Sequence, residues 1–359
     1  MTTNKIPIRN IYYMLAYSHN ALHFKEFEDI GKESFKHLLE LYATILTLGV
    51  PVLIRGGLIK EYNQYSTESM LVRGKINLTE TIKTNSLVKK KLVLDIDEFS
   101  EDNLMNQIIK ATLVKAARAR NLSRSLRKKL EADVSHFKKV TDIKLESSLW
   151  ESIIYTKHNK RYEFILTICK YLFEQSLLDQ YGEDNFIKKL EDEKNLSALF
   201  EKFVYELYRR ETGYKVSHDQ ITWQIDDGYY TALPRMQTDI VLHDEEFNKV
   251  IIDTKFYSNP MSKRFENAEN KQLSHNLYQM FTYINNWTHH VNEQVGEIIL
   301  YAKTTHDYLP NHDYWIKGNS LCVKTVDLNH DFQHICSQLL TIADSSMKRI
   351  KKSQNHSTL

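Results

Sequence analysis

The stretch TDIVLHDEEFNKVIIDTKFY, residues 238–257, decides how the chain is read. TDIVL (238–242) and KVIIDTKFY (249–257) are strand-like, and the polar HDEEFN between them reads as a tight turn. Side chains alternate along an extended strand, so Asp253 and Lys255 share one face while Ile252 and Thr254 share the other. Val250, Ile251 and Ile252 before them, and Phe256 and Tyr257 after, mark a central, buried strand. Ionised groups there are costly unless they are paired or bind a metal. A hairpin lays Asp239 alongside, so two carboxylates and one ammonium converge.

Outward from this hairpin, LSALFEKFVYELYRRE (196–211) is an amphipathic helix with Leu196, Leu199, Phe200, Phe203, Val204 and Leu207 on one face. A helix over about 270–287 and a strand, EIILYAK (297–303), follow. The second half therefore reads helix, strand, strand, helix, strand: an α/β core. The first half opens with IPIRNIYYMLAY (6–17) and a helix over 35–49, which Gly49 and Pro51 should stop. Strand-like pieces at 51–62, 69–78 and 91–99 predict a small β unit, and a helical run extends from Asn103 to about Leu130. The polar TKHNKR (156–161) suggests a boundary, after which helical pattern resumes over Tyr162–Leu178. The expected organisation is an α+β N-terminal domain with a β-rich finger (1–157), an α/β domain (158–346) and a frayed basic tail (347–359).

Composition narrows the class. In 359 residues, 48 Lys+Arg stand against 46 Asp+Glu, and only 10 Gly and 5 Pro exclude collagen-like or linker-rich chains. Three cysteines, Cys169, Cys322 and Cys336, fit neither a disulfide framework nor a paired CxxC zinc site. No uninterrupted apolar run approaches the roughly 18–20 residues of a bilayer span, and the N-terminus lacks the build of a signal peptide. A reducing cytoplasm is the expected compartment, with no membrane partner. There is no phosphate-binding Gly-rich loop and no Gly-x-Ser-x-Gly elbow.

Oxygen ligands with room for water suit Mg²⁺, which can stabilise charge on a scissile phosphate. Asp239, thirteen residues, Asp253, one residue and Lys255 form the pattern of the PD-(D/E)xK nuclease superfamily. The plainer meaning of Asp-x-Lys is a surface ion pair. Glu206, at the border of the apolar face of its helix, is the candidate for an additional helix acid, with a solvated carboxylate as the alternative. Gln279 and Tyr283 lie four apart on one helix face, a spacing that recurs beside the site in one nuclease branch and makes Gln279 a further catalytic candidate, with core packing of Tyr283 as the plainer explanation. Between Lys110 and Lys129 eight Lys/Arg occur with no acid, but they scatter around the helix. Lys263, Arg264 and the Arg209-Arg210 pair are better placed to meet DNA phosphates. His330 and His334 are spaced as zinc ligands can be, without a third ligand nearby.

Taken together, IPIRNIYYMLAY, RGKINLTETI (73–82), DEFSEDNLMNQIIKATL (97–113), LFEKFVYELYRRE, LPRMQTDIVL and VIIDTKFY resemble the McrC family, from about residue 6 to 340. The resemblance implies a PD-(D/E)xK endonuclease domain with its acids at Asp239 and Asp253 and its lysine at Lys255. It also implies a β-rich finger that enters the pore of a hexameric AAA+ GTPase, McrB, and stimulates GTP hydrolysis. That partner, rather than this chain, binds GTP and recognises modified cytosine in double-stranded DNA. The proline of the superfamily motif is missing: Thr238 precedes Asp239, and Pro234 lies five residues upstream. Arg73 and Lys75, flanking Gly74, are the candidate finger contacts. The competing reading is a non-catalytic activator and scaffold of the GTPase.

Overall fold

The structure is a computed structural model that describes residues 6–19, 35, 37–178, 193–228, 230–256, 261–262, 271–272, 274–287, 293–303 and 310–354. The chain forms two units: residues 24–182 make one, and residues 1–23 with 183–359 make the other. The first helix, α1 (Ile8–Ser18), thus belongs with the C-terminal half. The expected boundary near 157 falls inside the inserted unit. There TKHNKR is polar without being a linker: the Asn159 side chain accepts from Thr156 N–H and donates to the Ile154 carbonyl, and Arg161 donates to the carbonyls of Gly56 and Gly57.

In the inserted unit, α2 (Leu38–Arg55) runs straight through Gly49 and Pro51, where the sequence predicts a stop and a strand. Proline forfeits one ladder bond and is tolerated when packing outweighs it. Here Leu41, Tyr42, Ile45, Leu46 and Val50 are fully buried, and Leu53 nearly so. By length and composition α2 could cross a bilayer; its apolar face is instead buried within this unit. A three-stranded antiparallel sheet follows in the order β1-β3-β2, from β1 (Glu61–Ser69), β2 (Lys75–Ile76) and β3 (Leu92–Ser100). The expected 69–78 strand shrinks to two residues because Asn77 accepts a hydrogen bond from Glu80 N–H and caps α3 (Leu78–Lys83). Gly74 takes φ +91°, and a Cβ there would collide with the Asp95 carbonyl, so the turn into β2 requires glycine. The long helix expected from Asn103 is two: α4 (Leu104–Ala117) and α5 (Arg124–Val134), the second capped by Ser123. With α6 (Ser148–Glu151) and α7 (Glu163–Leu178) they complete the unit, and α2, α4, α5 and α7 pack together.

The other unit is built on a six-stranded sheet. Its helix α8 (Glu193–Glu211) leads into β4 (Lys215–Ser217), the short pair β5 (Gln220–Ile221) and β6 (Met236–Gln237), then the hairpin β7 (Ile240–His243) and β8 (Lys249–Lys255). A two-stranded ribbon, β9 (Met261–Ser262) and β10 (Lys271–Gln272), precedes α9 (Ser274–Asn286). The chain ends with β11 (Val295–Lys303), β12 (His312–Ile316), β13 (Asn319–Asp327) and α10 (Phe332–Gln354). Strand order is β12-β13-β11-β8-β7-β4, with β8, β11 and β13 mutually parallel and the other pairings antiparallel. Helix α9 is the crossover between β8 and β11; its Met280, Tyr283 and Ile284 join Val241, Ile251, Ile299 and Tyr301 in one buried cluster.

Helix α1 is pinned to this unit by the Asn10 amide, which donates to the carbonyls of Leu328 (2.7 Å) and His330 (2.8 Å), and by Tyr17 against Phe203. Of the tail expected to fray from 347, residues 347–354 are the last stretch of α10, and 355–359 lie outside the described residues. Met347 and Ile350 are buried, and Lys351 reaches Asp244 at 2.9 Å and Glu246 at 3.1 Å.

Candidate active site

The β7–β8 register pairs Ile240 with Ile252, so one step further places Asp239 opposite Asp253. Asp239 Oδ2 accepts from both the backbone N–H (2.8 Å) and the hydroxyl (2.9 Å) of Thr254. Asp253 is 1% exposed, with Lys255 Nζ 2.7 Å from its Oδ2. The ammonium offsets its charge at Oδ2, while Oδ1 has no hydrogen-bond donor among the described residues. Burial pushes the Asp253 carboxyl up to about 6, against the pull of Lys255 and with the nearby Asp239 charge adding to the rise.

Lys255 is steered from the other side. Its Nζ donates to Gln279 Oε1 at 3.1 Å, Gln279 Nε2 donates to the Tyr283 hydroxyl at 2.8 Å, and that hydroxyl donates to the Gln237 carbonyl at 2.9 Å. The chain runs from β8 through one face of α9 to the residue two before Asp239. It fixes which end of the Gln279 amide meets the lysine. The four-residue spacing of Gln279 and Tyr283 is thus one turn of α9 laid over the ends of the strands.

Glu206 is not brought to this group. Its Oε2 is held by Arg209 (2.7 Å) and Arg210 (2.9 Å), and Arg210 also donates to the Tyr17 carbonyl of α1. The helix acid that does face the pair is Glu201. Burial first, then the charges of Asp239 and Asp253, push it up to about 7, with Lys255 pulling the other way. Glu201 and Glu206 lie on opposite flanks of the apolar stripe of α8. One flank meets α1 and the other meets the strand ends, which the helix sequence alone has no means of distinguishing.

Two further groups were not legible in the sequence. Glu297 on β11 is 4% exposed and stands beside Ile251 in register, on the same sheet face as Asp253. Among the described residues its Oε1 has no partner, and burial, with the Asp253 charge second, pushes the carboxyl well above the usual carboxylate range. His218, in the turn between β4 and β5, bonds through Nδ1 to the Asp239 carbonyl and stacks on Tyr205. EIILYAK contains Glu297 in an otherwise apolar run, and that contrast is the one signal the sequence carries.

The other expected residues are distributed as follows. Arg209 is half exposed and paired with Glu206. Lys263 and Arg264 lie outside the described residues. In the basic run, Lys110 bonds to the Val140 carbonyl and Asp142, and Arg127 to the Ala119 carbonyl, so part of its charge is used within the unit. Arg73 and Lys75 are exposed on the small sheet, where Lys75 pairs in register with Asp95.

Among the described residues no three His, Cys, Asp or Glu side chains stand close enough to hold a metal by themselves. The donor set nevertheless fits a hard divalent cation. Mg²⁺ takes one or two carboxylates and completes its shell with water and phosphate oxygens. Asp253 supplies a buried Oδ1 that no donor meets among the described residues, and Asp239 has Oδ1 beyond its two bonds to Thr254.

Comparison with known proteins sets this geometry in a family. A family model described as "McrBC 5-methylcytosine restriction system component" matches residues 3–302. The type IV methyl-directed restriction enzyme EcoKMcrBC of Escherichia coli K12 is 30% identical over 350 residues, covering 96% of this chain and 99% of that protein. Among solved structures, a half-complex from the tetradecameric assembly of Thermococcus gammatolerans McrB AAA+ hexamers with bound McrC matches 94% of this chain and 76% of that one, at 17% identity and TM-score 0.48. The T. gammatolerans McrBC complex matches 57% of this chain and 58% of that one, at 19% identity and TM-score 0.39. The family match spans both units, and the chain belongs to the McrBC 5-methylcytosine restriction system component family.

Proposed function

We propose that this chain is the endonuclease subunit of a GTP-dependent, modification-dependent restriction complex, cutting DNA phosphodiester bonds with Mg²⁺. The observation that carries this reading is Asp253: a buried carboxylate with a lysine on one oxygen and no donor on the other, opposite a second carboxylate and faced by a third. A buried charge left so incompletely satisfied costs stability, and a cation is the partner that its lone pairs fit.

Asp239 and Asp253 would hold the metal, and Glu201 replaces Glu206 as the helix acid. Bound there, Mg²⁺ would offset developing charge on the phosphate and acidify water. Lys255, oriented by Gln279 and Tyr283, places its ammonium next to the reacting phosphate. A lysine in that position stabilises negative charge and orients the attacking water. The two bonds from Thr254 fix the direction of the Asp239 carboxylate.

The inserted unit carries the partner-binding role. Met70, Leu71, Val72, Leu78, Ile82, Leu87 and Val88 are exposed around the small sheet, Val88 at 85%. So many large apolar side chains in water on one small element mark a protein-binding surface. Its proposed occupant is a hexameric AAA+ GTPase of the McrB kind, as in the T. gammatolerans complexes, with GTP hydrolysis stimulated by this contact. Recognition of modified cytosine falls to that partner.

The test is plasmid cleavage with Mg²⁺ and GTP on methylated and unmethylated DNA, using this chain, its cognate GTPase and the mixture. Cleavage by the wild-type mixture, lost with Asp253→Asn while GTP turnover persists, is the expected result. Undiminished cleavage by the Asp253→Asn mixture would overturn the assignment and leave the chain as an activator of the GTPase.

A further inference from the structure

Glu201 and Asp239 reach the same group from different elements, one from α8 and the other from the entry to β7. Something must set their separation, because a cation held by few protein ligands tolerates little slack. The joint between the two elements is a pair of rings. Tyr205 lies four residues after Glu201, on the same face of α8. Its ring stacks on His218 with centroids 4.1 Å apart and planes 8° from parallel. The Tyr205 hydroxyl also donates to the Val216 carbonyl at 3.4 Å, two residues before that histidine. His218 Nδ1 in turn meets the Asp239 carbonyl. A carbonyl oxygen can only accept, so Nδ1 carries the hydrogen and the tautomer is fixed.

The turn holding His218 does not depend on it. Thr238 N–H donates to the Asp219 carbonyl at 3.0 Å. The Thr238 hydroxyl accepts from Asp219 N–H and reaches its carbonyl, both at 2.9 Å. Ser217 Oγ donates to Asp219 Oδ1 and meets His243 Nε2, each at 2.6 Å. The imidazole itself is exposed, so it adds little to the core. What it contributes is the tie between the ring on α8 and the main chain of Asp239.

We propose that the Tyr205–His218 stack is a positioning device that sets the distance between Glu201 and Asp239, and through it the affinity of the site for a divalent cation. This inference rests on the metal-dependent nuclease reading above. His218 is a positioning residue, because it acts through the Asp239 carbonyl.

The experiment titrates Mn²⁺, as the probe, into the full-length chain by calorimetry, with thermal melting of each variant alongside. Outer residues that orient ligands typically affect metal affinity by about 10–100-fold. His218→Ala should weaken Mn²⁺ binding about tenfold while melting stays close to wild type. His218→Asn, which can donate from Nδ2 near the position of Nδ1, should recover part of that loss; His218→Phe, which keeps a ring without a donor, should not. Tyr205→Ala should match His218→Ala, and the double variant should be no weaker than either alone, the mark of one coupled unit. Mn²⁺ affinity within twofold of wild type in His218→Ala, or additive losses in the double variant, would overturn the proposal. If Asp253→Asn binds Mn²⁺ as wild type does, the metal site itself falls and this inference with it.

Discussion

The end of β8 and the surface around Met70–Val88 depart in opposite directions from the ordinary partition of residues. In the sheet unit, carboxyl groups are buried: Asp253 and Glu297 sit among Ile251, Ile299 and Tyr301. In the inserted unit, leucine, valine and methionine side chains stand in water. Each departure costs stability locally, and each names a different missing partner. A buried carboxylate with open lone pairs is completed by a cation, whereas exposed apolar area is completed by another protein surface. Under the proposed function, chemistry belongs to one unit and partner binding to the other, and the two proposals can be broken separately.

The largest effect is expected at the lysine. On the proposed function Lys255→Ala removes the ammonium that would meet the reacting phosphate, and DNA cleavage by the complex should fall by about 10²–10⁴-fold. GTP turnover of the partner should stay within twofold, as measured by phosphate release. A parallel loss of both activities would mean that the sheet unit also serves assembly, and the division would fail.

A charged residue on the apolar surface should produce the converse. Leu71→Asp or Val88→Asp should weaken partner binding by about 2 kcal/mol, roughly thirtyfold, if these residues are interface anchors. Mn²⁺ binding by the free variant chain should be unchanged. Unaltered affinity for the GTPase in both variants would move the docking surface elsewhere on the inserted unit.

A smaller effect separates the two regions by pH. Asp253 is pushed up to about 6 and Glu201 to about 7. A cation binds their ionised forms, so Mn²⁺ affinity should rise across pH 5.5–7.5 by as much as about tenfold per unit for each proton released. In the metal-free chain the sign is reversed. Both groups hold protons in the folded state that the unfolded chain has already released, so their contribution to stability is fully present below about pH 4 and is lost as pH rises through about 6–7. Affinity flat from pH 5.5 to 7.5 would remove these two acids from the metal site.

The smallest expected effect is at Glu297. Replacing a buried carboxyl whose Oε1 has no partner among the described residues with leucine should stabilise the sheet unit by about 1–2 kcal/mol, raising the melting temperature by roughly 2–8 °C. The gain should grow as pH rises above the ordinary glutamate range, since burial raises the folded carboxyl above its unfolded value. A lower melting temperature for Glu297→Leu at pH 8 would show that the carboxyl has a bonding partner.

Much of the strand chemistry was readable from local pattern. Period-two alternation alone puts Asp253 and Lys255 on one face, and a six-residue polar turn returns the chain so that Asp239 lies opposite, because side-chain direction in a hairpin follows from register. The spacing of Gln279 and Tyr283 likewise fixes one helix face. Helix ends were less legible. Gly49 and Pro51 signal a stop that the buried face of α2 overrides, and the run after Asn103 breaks at a serine cap that periodicity hides. The polar 156–161 segment resembles a linker only until Asn159 and Arg161 are seen to satisfy neighbouring carbonyls.

What the sequence determined by itself was the set of groups that one hairpin can bring together: two acids, a lysine and the buried strand that carries them. Only the tertiary structure decided which flank of α8 faces them, and so exchanged Glu206 for Glu201. It also returned α1 to the C-terminal half, extended the expected tail into α10, and set Glu297 and His218 beside the pair. The reason is range. Alternation and helical period act over a few residues and are written in local order, whereas the neighbours of a helix flank come from chain segments up to hundreds of positions away, chosen by packing rather than by pattern.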